Sequence, residues 1–139
     1  MRRVVTFLLT PMLGLAAIGC FSPAASPSPA ASPSPGGVVV TFRVADREEY
    51  RIRLTDPADI AIARKLLAGE QAPGIPNGKV IRGDPDVNIG YTWHIDPNDI
   101  EFADVTVEVC DGLPSDVEKN QISGDRYCPW SAKVVKVEG

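Results

Sequence analysis

VVVTFRVADREEYRIRLTDPADIAIARKLLAG, residues 38–69, decides how this chain folds. Val38, Val40, Phe42 and Val44 alternate with Val39, Thr41, Arg43 and Ala45, the period of a strand with one buried face. After Asp46-Arg47-Glu48 the alternation resumes, with Tyr50, Ile52 and Leu54 against Glu49, Arg51 and Arg53. Setting Val44 opposite Tyr50, Phe42 opposite Ile52 and Val40 opposite Leu54 puts every large apolar side chain on one face, which is what fixes register in a half-buried hairpin. The period then changes. Asp56 is a helix N-cap, Pro57 suits the first helical position, and Asp59 favours the positive end of the helix dipole. Ile60, Ala63, Leu66 and Leu67 fall along one side, and Gly69 marks the stop. A hairpin followed by an amphipathic helix predicts a sheet with its apolar face covered by that helix.

Further along, turn residues fill 70–78, including Asn77-Gly78, and Lys79–Arg82 reads as a short strand. Tyr91, Trp93 and Ile95 alternate in the next strand. Pro97-Asn98-Asp99 reads as a turn into a strand from Phe102 to Cys110, whose Ala103, Val105, Val107 and Val109 would face the core. A short helix is expected over 113–121, with Ser115 as its candidate cap, and a last strand over 131–137. The expected fold is α+β with order ββαβββαβ, a mixed or antiparallel sheet under one main helix.

N-terminal to this domain the composition changes twice. Arg2 and Arg3 precede an apolar run from Val4 to Ile18, shorter than the roughly 20 residues that span a bilayer. It ends in Ala17-Ile18-Gly19-Cys20, which resembles a bacterial lipobox, so residues 1–19 read as a signal peptide and Cys20 as the lipidated residue. Residues 20–37 are a Ser, Pro and Ala tether in which PAASPS occurs twice. Such a segment has no apolar face to bury, and its 14 residues from Ser22 to Pro35 would reach roughly 40 Å if extended. The protein is thus expected to be exported and lipid-anchored to the cell membrane or outer membrane, with a single domain, 38–139, outside the cytoplasm.

Of three cysteines, Cys110 and Cys128 then remain, and two cysteines in an exported domain are expected to pair. The rival, a zinc site, needs four ligands where two Cys and a distant His94 supply three. Removing Arg2 and Arg3 from the 14 basic groups leaves 12 against 18 acidic ones, a net of −6. Phosphate binding needs a cationic face, so nucleic acid is not an expected partner.

Few residues carry chemistry. Arg43, Arg51 and Arg53 share the outer face of the hairpin as a possible binding patch, with Asp104 and Glu108 as expected cross-strand partners. His94, the only histidine, lies in a strand with no nucleophile motif beside it. Asp84, Asp86 and Asn88 have the spacing of the first three calcium-loop ligands, but Ile89 and Ile95 stand where such a loop has Gly and Glu. Neither a metal nor another cofactor is expected. A non-enzymatic module binding a protein or envelope ligand is the favoured class. The alternative is a small envelope hydrolase or inhibitor-like domain using His94 and nearby carboxylates.

Leu54-Thr-Asp-Pro-Ala-Asp-Ile60, Ala63-Arg-Lys-Leu-Leu-Ala-Gly69, Trp93-His-Ile-Asp-Pro97, FADVTVEVCDGLPSDVE over 102–118 and Cys128-Pro-Trp130 occur in this order. Together they resemble the N-terminal domain of a eukaryotic calmodulin-binding protein family, a domain also found alone in bacterial secreted proteins. The resemblance implies a shared fold and a Cys110–Cys128 disulfide, and carries over no catalytic residue. Bacteria generally lack calmodulin, which is therefore not the expected partner.

Cys20→Ser is expected to release the protein from the membrane fraction or block its maturation. Fractionation with fatty-acid labelling checks this: a Cys20→Ser protein that remains membrane-bound and labelled contradicts the lipid anchor.

Overall fold

The computed structural model describes residues 36–139; the expected signal segment, Cys20 and the tether as far as Pro35 lie outside them. Six strands and two helices follow in the order β1 (Val38–Val44), β2 (Glu48–Leu54), α1 (Pro57–Leu67), β3 (Ile75–Arg82), β4 (Trp93–Ala103), a 3-10 turn (Glu108–Cys110), α2 (Pro114–Glu118), β5 (Arg126–Tyr127) and β6 (Ala132–Glu138). They form two antiparallel three-stranded sheets, β2-β1-β6 and β4-β3-β5. The expected order ββαβββαβ is therefore corrected. Phe102 and Ala103 end β4, the separate strand foreseen over 102–110 is absent, and β5 forms later.

The hairpin has the expected faces but a tighter register, with Phe42 opposite Tyr50 and Val40 opposite Ile52. Val44 pairs with Glu48 because Ala45 and Asp46 both take positive φ, 51° and 54°, and Arg47 N–H closes the turn on Val44 C=O at 3.0 Å. Two left-handed residues give the turn a twist that matches the strands. The register moves by two residues, so every side chain keeps its side of the sheet.

The second sheet, more than α1, covers the apolar face of the first. Phe42 meets Phe102 at 6.1 Å between ring centroids, and Tyr50 meets Trp93 and Tyr127 at 5.9 and 5.2 Å. Helix α1 begins as expected, with the Asp56 carboxylate accepting from Ala58 N–H at 2.7 Å, and ends at Gly69 with φ of 77°. It buries Ile60 and Ala63, while Leu67 is exposed. A stripe this narrow packs on an edge, chiefly along β6, rather than roofing a sheet.

Pro97 and its neighbours make no hairpin turn. They form a bulge inside β4: Gly78 pairs with Ile100, yet Val80 already pairs with Ile95. Pro97 lacks an N–H and fits where the ladder is broken. Ile75–Gly78, expected to be loop, is strand, and a Cβ on Gly78 would collide with Ile95. In α2 the N-cap is Leu113 rather than Ser115. Its N–H is accepted by the Asp116 carboxylate at 2.8 Å, and Ser115 instead donates its N–H and hydroxyl to Glu48.

Asn88 joins the two sheets. It is 1% exposed; its Oδ1 accepts from Arg51 N–H of β2 at 2.9 Å and its Nδ2 donates to Trp93 C=O of β4 at 3.0 Å. Asn88→Ala leaves the buried Trp93 C=O and the partly buried Arg51 N–H without these partners, at a cost of about 3 kcal/mol. Urea unfolding should move to a clearly lower midpoint, and an unchanged midpoint would show that the bridge contributes nothing.

Candidate binding surface

The segment between β4 and Cys110 has the alternation of a strand and no partner strand. Val107 is extended (φ −84°, ψ 148°), and among the described residues the N–H and C=O of Val105 and Thr106 make no backbone hydrogen bond. Val105, Val107 and Val109, expected in the core, are 82%, 65% and 62% exposed. The core is already filled by Phe42, Tyr50, Trp93 and Tyr127, which leaves these valines no interior face to occupy.

A crosslink and a tryptophan hold this ridge in place. Cys110 and Cys128 form the expected disulfide, with Cα atoms 5.1 Å apart, and Cys128 N–H donates to Cys110 C=O at 2.8 Å. A loop of 18 residues closed in this way contributes about 3 kcal/mol in the chain-entropy model. Two residues past Cys128, the Trp130 indole N–H donates to Thr106 Oγ1 at 2.6 Å, and the Trp130 backbone N–H donates to Asp111. A groove of about 380 Å³ runs between the valines and the loop Ser123–Arg126. A smaller hollow of about 250 Å³ opens on the other flank between Ile75, Thr106 and Trp130. A contiguous apolar surface on a pinned backbone is the usual form of a macromolecular contact site.

The arginines have different partners from those expected. Arg43 pairs across the hairpin with Glu49 at 2.6 Å. Arg53 grips both carboxylate oxygens of Asp86 at 2.9 and 3.0 Å and also donates to Gly36 C=O. Arg51 borders a shallow hollow with Ile89 and Glu138. Asp104 and Glu108 pair with none of the three, because 104–110 never joins the sheet that carries the arginines.

The residues spaced like calcium ligands each do something else. Asp84 Oδ1 accepts from Asp86 N–H at 2.9 Å, Asp86 faces Arg53, and Asn88 turns into the core. Among the described residues no three His, Cys, Asp or Glu side chains converge on one metal position. His94 Nδ1 lies 2.6 Å from Asp84 C=O, so the ring braces the same loop. The hydroxyl of Ser115 is bonded to Glu48, and Ser131 Oγ accepts from Ala45 N–H. Sequence reasoning missed the Val105–Val109 ridge and Trp130 as surface. The signal available was the run itself, since the polar residues Asp104, Thr106 and Glu108 alternate with valines directly before a half-cystine.

The model of the BP-74 N-terminal domain family matches residues 37–139. That match agrees with the resemblance read from the motifs. No curated protein and no solved structure matches the chain.

Hydrogen bonds from Arg53 hold the Asp86 carboxyl below its ordinary value of 3.8, with the nearby Arg53 charge acting in the same direction. A lowered folded-state pKa adds stability at pH above the unfolded-state value, and that stability is lost as pH falls through the folded one. Both side chains are about one-third exposed, so solvent screens the pair. Asp86→Asn should therefore cost about 1 kcal/mol near neutral pH and nothing once the wild-type carboxyl is protonated. Urea unfolding of both proteins across the acid range checks this. A difference that persists unchanged into acid would assign the effect to packing instead.

Proposed function

Because the chain belongs to the BP-74 N-terminal domain family, with residues 37–139 matched, we propose that it is an exported, lipid-anchored protein displaying a non-enzymatic binding domain. The supporting observation is the exposed ridge of Val105, Val107 and Val109 beside Trp130, fixed by the Cys110–Cys128 disulfide. Fully burying one valine is worth about 1.5 kcal/mol or more, so three left in water form a surface with a large gain still to be made on contact. The partner is a protein or another envelope component, reached by a domain that Cys20 and the tether hold near the membrane. Reading Cys20 as the anchor rests on Ala17-Ile18-Gly19-Cys20.

The hydrolase alternative would need His94 aimed at a nucleophile or an activated water. Its Nδ1 faces a backbone carbonyl, and the adjacent Asp86 is taken by Arg53. Binding is the better reading of this geometry.

Replacing Val105, Val107 and Val109 together with serine should leave the fold intact, since all three are exposed, and abolish capture of the partner from envelope extract. Capture by the wild type that the triple variant retains undiminished would remove the ridge from this role. A hydrolytic activity lost in His94→Gln while the fold persists would favour the alternative.

A further inference from the structure

Resting on the reading of the ridge as a binding surface, we infer that its partner is an extended polypeptide segment in which lysine or arginine alternates with apolar residues, added as a strand along Asp104–Val107, ahead of the 3-10 turn Glu108–Cys110. Three independent features of the surface lead to this class.

The first is charge. From Gly83 to Glu118 there is no Lys or Arg, whereas ten residues are Asp or Glu. Several of these are occupied: Asp99 pairs with Arg126, Asp111 accepts from Trp130 N–H and Glu118 accepts from Thr92. Asp104 and Glu108 are exposed and take part in no ion pair among the described residues, and they lie at either end of the Val105–Val107 run. Asp125 adds a further exposed carboxylate on the opposite wall of the groove.

The second feature is backbone. Val105 and Thr106 present N–H and C=O groups that no strand satisfies among the described residues, and strand addition uses such groups for affinity while alternate side chains set specificity. The third is spacing. Exposed valines at 105 and 107 would meet every second residue of the added strand, and Val109 in the 3-10 turn extends the apolar surface beyond it. The residues between those would meet the carboxylates.

The same charge argues against other occupants. A second copy would set Asp104 and Glu108 against their own kind, an anionic lipid surface would be repelled, and the tether 20–37 carries no cation to match them.

The test uses a short peptide alternating lysine and valine, its glutamate–valine counterpart, and the purified chain, with binding followed by calorimetry at low and high salt. The lysine peptide should bind, the glutamate peptide should not, and added salt should weaken the complex. Asp104→Asn with Glu108→Gln should reduce affinity about tenfold, with an unchanged urea midpoint showing that the fold is intact. Equal binding of both peptides would overturn the cationic preference and leave the apolar ridge standing as a contact site. Failure of both peptides, or self-association of the chain in sedimentation, would overturn the strand partner. Capture by the wild type and its loss in the triple-serine variant decide the underlying reading separately.

Discussion

One buried amide makes the two sheets a single body. Asn88 offers its carbonyl to β2 and its amino group to β4, and its own backbone is also engaged, N–H to Pro85 C=O and C=O to Tyr91 N–H. Sheet edges are exposed rows of polar groups, and burying one without partners costs about 1–3 kcal/mol for each group. An apolar side chain at 88 would pack but could not satisfy either strand. With Asn88 in place the two sheets close along one side, and Tyr50, Trp93 and Tyr127 meet between them. Among the described residues the Tyr50 hydroxyl and the Trp93 indole N–H have no partner, while the Tyr127 hydroxyl donates to Gly112 C=O. Packing therefore dominates in the centre, and polar satisfaction is concentrated at the rim.

Around Asn88 the loop 84–88 serves the same closure. Asp84 shapes the turn, Asp86 is drawn to Arg53 of β2, and His94 of β4 reaches Asp84 C=O. Residues that look like a ligand set in the sequence are thus the connectors of two strands. The ridge before Cys110 takes none of these closing roles. It is fixed but not covered, which is the combination a contact surface requires.

What the sequence made legible follows from local physics. Alternation in 38–54 assigned the buried face correctly, because parity survives a shift of two residues; it did not fix the register, because Asp46 tolerates the left-handed region but Ala45 carries no side-chain sign that it will adopt it too. Asp56, Pro57 and Gly69 marked the ends of α1, since caps act within a few residues. The pairing of Cys110 with Cys128 was also legible. Asp104–Val109 was misread, because a strand's alternation says that two faces differ and not that either has a partner. Pro97-Asn98-Asp99 has turn composition, yet a bulge needs the same residues as a turn. Asn88 could not be singled out at all: its role exists only once two distant strands meet over it.

The two tryptophans divide this architecture between them. Trp93 is wholly enclosed among Tyr50, Tyr91 and Tyr127, while Trp130 is 43% exposed at the valine ridge. The molecule therefore carries two built-in optical probes with separate surroundings. Intrinsic fluorescence from Trp93 follows the integrity of the core, and a small aqueous quencher reaches Trp130 first. Any molecule that covers the ridge would shield Trp130 from that quencher and leave the emission of the enclosed indole as it was, so that occupancy and unfolding can be told apart in one unlabelled sample.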